Sequence, residues 1–126
     1  MTAITITTVG KNLIRDGLSN ANKPLISYVA LGTDSTAPSA GDTALKAEAF
    51  RKAVTSYTNG STGEILVNMY LSPADAVGLV IAEVGFFGGS SASTTANSGV
   101  LLARGLYSHT HVNTESIQFQ LDFSAS

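Results

Sequence analysis

Near the C-terminus, Ile117, Phe119, Leu121 and Phe123 alternate with Gln118, Gln120 and Asp122. Side chains two apart share a face in a strand, whereas a helix repeats about every 3.6 residues. This stretch is therefore a half-buried strand, apolar inside and polar outside. Residues 25–33 (LISYVALGT) add a second constraint: behind Pro24 they form an unbroken β-branched and aromatic run. A run without polar alternation predicts a strand covered on both faces. Covering both faces of one strand and one face of another demands packed layers. The 126 residues suit a single domain, 1–126.

Other segments fit the same scheme. Residues 64–71 place Ile65, Val67, Met69 and Leu71 on one face, with Glu64 and Asn68 on the other. Residues 50–58, 79–87 and 100–107 read as further strands, and Asn59-Gly60 before Thr62-Gly63 marks a hairpin. Residues 44–47 read as a short irregular or helical piece, and residues 33–42 as a turn region punctuated by Asp34, Pro38 and Gly41. Residues 1–7 alternate around Ile4 and Ile6 and suit an edge strand or an N-terminal arm reaching a neighbour. Thr8 is placed to cap a helix over residues 9–19, with Val9, Leu13, Ile14 and Leu18 on one face. Residues 88–99 (GGSSASTTANSG) read as a flexible loop between strands. The expected fold is mainly β: a β-sandwich or small open barrel of about six antiparallel strands, with one N-terminal helix covering an end.

Composition narrows the function classes. Charged residues are 13% of the chain, against about 25% in an average domain. The surface is then dominated by Ser, Thr, Asn and Gly, which protects little against association. Net charge is −2 and no basic stripe exists, so phosphate neutralisation has little to act through and no nucleic-acid partner is expected. With no cysteine there is neither a disulfide framework nor thiolate chemistry. The N-terminus lacks the basic and apolar regions of a signal peptide. No run approaches the roughly 18 apolar residues of a membrane span. Synthesis in the cytoplasm without membrane insertion is the expectation.

The chemistry-bearing residues are few. His109 and His111 lie in a polar stretch with no G-x-S-x-G elbow beside them. As an H-x-H pair on extended backbone they would face one way, and in a three-fold oligomer could ring a metal ion. They are the candidate metal ligands, set against two ordinary loop histidines. Glu83 stands inside LVIAEVGFF, where alternation puts it on the strand face shared with Leu79, Ile81 and Phe87; Arg104 stands between Leu102 and Leu106, and Arg51 beside Phe50. A charge in such surroundings must be paired or hydrogen-bonded. Glu83 and Glu48 are therefore expected to pair with Arg51 or Arg104 as structural ion pairs, ahead of any two-carboxylate hydrolase. Gly85, Gly88 and Gly89 run into a Ser/Thr loop and not into a helix, so they form no phosphate cradle. No catalytic residue and no cofactor is expected.

Five ordered motifs carry a resemblance. After Thr7-x-x-Gly10 comes YVALGT (residues 28–33), then P-x-x-x-D-T-x-L-x-x-E-x-x-R (38–51), I-x-E-x-G-F-F (81–87) and G-V-L-L-A-R (99–104). Their order resembles small phage and prophage tail-associated structural proteins, including the N-terminal domain of tail-collar fibre proteins. The resemblance spans nearly the whole chain, and the order is more specific than any one motif. It implies a bacteriophage virion component of the tail, fibre or baseplate, a homotrimer or homohexamer docking to other virion proteins. A capsid decoration or head-fibre protein, and a carbohydrate-binding module touching a host surface glycan, are the alternatives. The chain lacks the long repetitive shaft of a complete fibre.

Overall fold

The computed structural model describes residues 4–124. Along the chain come β1 (Ile4–Ile6), α1 (Thr8–Leu18), β2 (Ile26–Gly32), β3 (Glu48–Ala53), β4 (Ser56–Asn59), β5 (Glu64–Leu71), β6 (Val80–Gly88), β7 (Val100–Thr110) and β8 (Ile117–Ser124). Strands make up 46% of the described residues, which places the fold in the mainly β class. Five strands form one sheet in the order β1-β7-β6-β2-β3, and three form a second in the order β4-β5-β8. Every neighbouring pair is antiparallel.

The two sheets pack as a sandwich. Val29, Leu31, Val84, Phe86 and Ala103 of the larger sheet meet Val67, Met69, Leu71, Phe119 and Leu121 of the smaller in one core. Each large apolar side chain buried there contributes about 1.5–3 kcal/mol. β8 keeps the alternation read from its sequence, with Phe119 and Leu121 buried and Gln118, Gln120 and Asp122 exposed. The larger sheet is covered on its other face too: Ala30, Phe87 and Leu101 pack with Leu45 in a second cluster. Leu45 belongs to the irregular segment between β2 and β3, which forms no helical turn. This double coverage is why β2 and β6 read as unbroken apolar runs.

Several details depart from the sequence reading. Residues 50–58 are not one strand. Val54 N–H bonds to Ser27 O at 2.9 Å and Thr55 N–H to Asn68 O at 2.7 Å, so the chain changes sheets between them. Thr7, not Thr8, caps α1, its hydroxyl oxygen accepting from Gly10 N–H at 2.9 Å. Leu18, assigned to the apolar helix face, is 88% exposed because the helix ends there. Glu83 does not share a face with Ile81: a register shift between them sends Ile81 into the main core. Of the two alternatives for residues 1–7, an edge strand or an arm, Ile4–Ile6 form the edge strand, paired with β7 at the margin of the larger sheet, and residues 1–3 lie outside the described residues.

Candidate functional site

The buried charges lie on the face of the larger sheet turned away from the smaller one. Glu83 on β6 and Arg104 on β7 are both fully buried, and Arg104 Nε donates to Glu83 Oε1 at 2.9 Å. Glu83 also accepts from Lys46 N–H at 2.9 Å, Ala47 N–H at 2.8 Å and Asp34 N–H at 3.3 Å. Arg104 Nη1 donates to Thr36 O at 2.9 Å and lies 3.4 Å from Asp42 Oδ2. One carboxylate and one guanidinium thus fasten the irregular segment over the sheet at both its ends. Multiple donors suit an ionised carboxylate, and such bonds are stronger than neutral ones.

Asp42 was not singled out from the sequence, yet it completes this lock. Burial alone would raise its pKa. The Ser39 N–H, the Lys46 ammonium and Arg104 outweigh that and hold it below its ordinary 3.8. The signal for it is the D-T-x-L piece of the motif over residues 38–51, which sets Asp42 three residues before the buried Leu45.

Glu48 and Arg51 form a second lock on β3. Arg51 Nε and Nη2 each donate to the Glu48 carboxylate at 2.9 Å, a two-pronged contact. Arg51 Nη1 reaches across to Ser93 O at 3.0 Å and Ser98 O at 2.9 Å, and Glu48 Oε1 accepts from Asn97 N–H at 3.1 Å. The guanidinium carbon also lies 4.3 Å from the Phe87 ring centre, a cation–π position. The 88–99 loop is therefore tied at its middle to β3.

His109 and His111 converge on a single residue. His109 Nε2 bonds the Glu115 carboxylate, and His111, fully buried, places Nε2 3.1 Å from Glu115 O. Together they shape the turn between β7 and β8. The His109 bond leads the influences that hold the Glu115 pKa below its ordinary value. Among the described residues no three His, Cys, Asp or Glu side chains gather where a metal could bind.

The remaining features are on the surface. Val77, Val80 and Val112 are 54%, 60% and 45% exposed at one end of the sandwich. They are neighbours there, because Gly78 N–H bonds His111 O and Val80 opposes Thr110. Tyr57 and Tyr70 are the tyrosines that reach solvent most, and the Lys52 ammonium sits 5.8 Å from the Tyr70 ring centre. Tyr28 lies against Arg51, and Tyr107 packs edge-on to Phe119. A groove of about 380 Å³ runs between α1 and the sheets, lined by Ile14, Leu25, Tyr57 and Phe123 among others. A second cleft, about 550 Å³, separates β1 from β8. No described helix is long and apolar enough to cross a membrane. No protein-family model, curated protein or solved structure matches this chain.

Proposed function

We propose that this chain is a bacteriophage virion structural protein, a component of the tail, fibre or baseplate. It acts by self-assembly, as a homotrimer or homohexamer, and by docking to other virion proteins. The observation supporting this reading is how the ordered motifs meet. YVALGT lies in β2, I-x-E-x-G-F-F in β6 and G-V-L-L-A-R in β7, three neighbours in one sheet. The motif over residues 38–51 crosses that sheet and supplies Asp42, Leu45, Glu48 and Arg51 to its locks and its second core. Residues far apart in the chain thus act as one architectural unit. A sparsely charged surface with the Val77, Val80 and Val112 patch suits a subunit that binds neighbours.

The test is electron microscopy of the parent particle with the chain labelled at its C-terminus. Label on the tail is the expected result. Label over the capsid would make the chain a decoration or head-fibre protein. Absence from the particle would reject a virion role, and binding to host glycans through Tyr57 or Tyr70 would then identify a recognition module.

A further inference from the structure

Four strands end the two sheets, and they are unequally protected. β1 has three residues and β4 has four. β3 carries Arg51 and Lys52, and its ladder with β2 is interrupted by a register shift. Shortness, charge and irregularity are the devices that keep sheet edges from pairing with other chains. β8 is neither short nor irregular, and its one charge is Asp122. It runs for eight residues in an unbroken ladder with β5, and its sequence IQFQLDFS contains no Lys, Arg or Pro. Its other edge has no strand partner among the described residues. That edge borders the 550 Å³ cleft, whose walls include Ile4, Tyr107, Phe119 and Leu121.

We propose that the free edge of β8 pairs with β8 of a second copy of this chain, antiparallel about a two-fold axis at Gln120. Two three-stranded sheets then become one six-stranded sheet. The inference rests on the self-assembling reading above and names its contact. Opposed residues in an antiparallel ladder share a face, so a two-fold axis through the sheet must fall on a residue and not between two. Placed at Gln120, it opposes Phe119 with Leu121 and Ile117 with Phe123, apolar on apolar. On the outer face it opposes Asp122 with Gln118, a carboxylate with an amide donor, and keeps the two Asp122 carboxylates apart. An axis at Asp122 would set like charges against each other, which destabilises a ladder. The Gln120 register also uses the whole alternation of β8 from Ile117 to Phe123. Gln118 and Gln120 are already held on the outer face, both donating to Asn68 Oδ1 at 3.0 and 2.7 Å.

A two-fold contact closes on itself. Of the two assemblies proposed, the homohexamer with dihedral symmetry contains such an axis and the homotrimer does not.

The test is light scattering on the full chain with charge variants at the axis. Gln120 is exposed, so Gln120→Lys and Gln120→Glu are compatible with the fold, which circular dichroism checks. The wild type is expected as an even-numbered assembly, a dimer or hexamer. Each variant alone sets like charges together and weakens that contact by at least about five-fold, giving monomer or trimer. An equal mixture of the two variants restores the assembly. Gln118→Lys, which opposes Asp122 of the other copy, tightens it, an effect that a merely damaged fold would not produce. A wild-type monomer or trimer, indifference to the variants, or no recovery on mixing would overturn the proposal. So would a monomer whose β8 takes a strand from a different virion protein. A trimer found on the tail would leave the virion reading standing and remove this contact alone. A rescued dimer absent from the particle would do the reverse.

Discussion

Glu83 and Arg104 meet at 2.9 Å across β6 and β7, with neither side chain reaching solvent. Each is also held by partners the other does not touch: Lys46 and Ala47 N–H on the carboxylate, Thr36 O and Asp42 on the guanidinium. The pair is thus a junction between the sheet and the segment that covers it.

Removing one charge at this junction leaves the other buried without its partner. Glu83→Gln is expected to lower stability by about 3–5 kcal/mol. Glu83→Leu combined with Arg104→Met is expected to cost clearly less than the two single changes added together. Urea unfolding of the wild type, the three single variants and the double variant measures this. Additive losses would mean that the two side chains act independently.

Gly10 sets two effects against each other. Alanine in a helix is favoured over glycine by about 1 kcal/mol. In α1, however, a Cβ at Gly10 would stand 2.6 Å from Leu102 O and 2.7 Å from Leu102 Cα, both backbone atoms of β7. The clash outweighs the propensity, and Gly10→Ala is expected to lower the thermal midpoint. A raised midpoint would show that α1 can shift away from β7 at little cost.

Arg51 fastens the 88–99 loop through a planar, five-donor group that lysine cannot reproduce. Arg51→Lys keeps the charge and loses the contacts shared among Glu48, Ser93 and Ser98. Amide exchange at Ser93 and Asn97, whose N–H groups bond Ser98 and Glu48, is expected to quicken by about ten-fold or more while β5 stays protected. Unchanged exchange at both would show that the loop holds itself together without Arg51.

Stability should fall in acid. Asp42 is held below 3.8 as described above. The Lys52 ammonium, followed by the Ser72 N–H, holds Asp75 below the same value. With folded pKa values depressed, the unfolded chain binds more protons as the pH falls, so the folded state loses stability in that direction. Both contributions are complete above about pH 5 and disappear as the pH drops through 3.8 and below. Urea midpoints from pH 7 to 3 should be level and then fall, with a shallower fall in Asp42→Asn. A midpoint rising in acid would contradict these shifts.

Much of the fold was legible because burial writes itself into periodicity. β8 alternates because the core covers one of its faces, and β2 does not because a sheet and the Leu45 segment cover both. The need to pair Glu83 followed from charge in an apolar run. What stayed hidden depended on geometry that periodicity does not record. A register shift puts Ile81 and Glu83 in different surroundings although they are two residues apart. The break between β3 and β4 carries no Gly or Pro: Val54 and Thr55 are good strand residues that simply bond to different sheets. Asp42 and Glu115 looked like ordinary loop acids because their partners, Arg104 and His109, come from β7.

The crossing at Val54 and Thr55 also gives the sandwich a mechanical asymmetry. At that margin the covalent backbone joins one sheet to the other, so their spacing there is set by bond geometry. At the opposite margin the chain passes from β7 to β8 through the longer segment over residues 111–116, beside the cleft that Ile4 lines. The two sheets are like the covers of a book, with a short spine at residues 54 and 55 and a slacker clasp at residues 111–116. Thermal opening is expected to be smaller at the two-residue spine than at the β1–β8 mouth, so any strand clasped along β8 also limits how wide that mouth can gape.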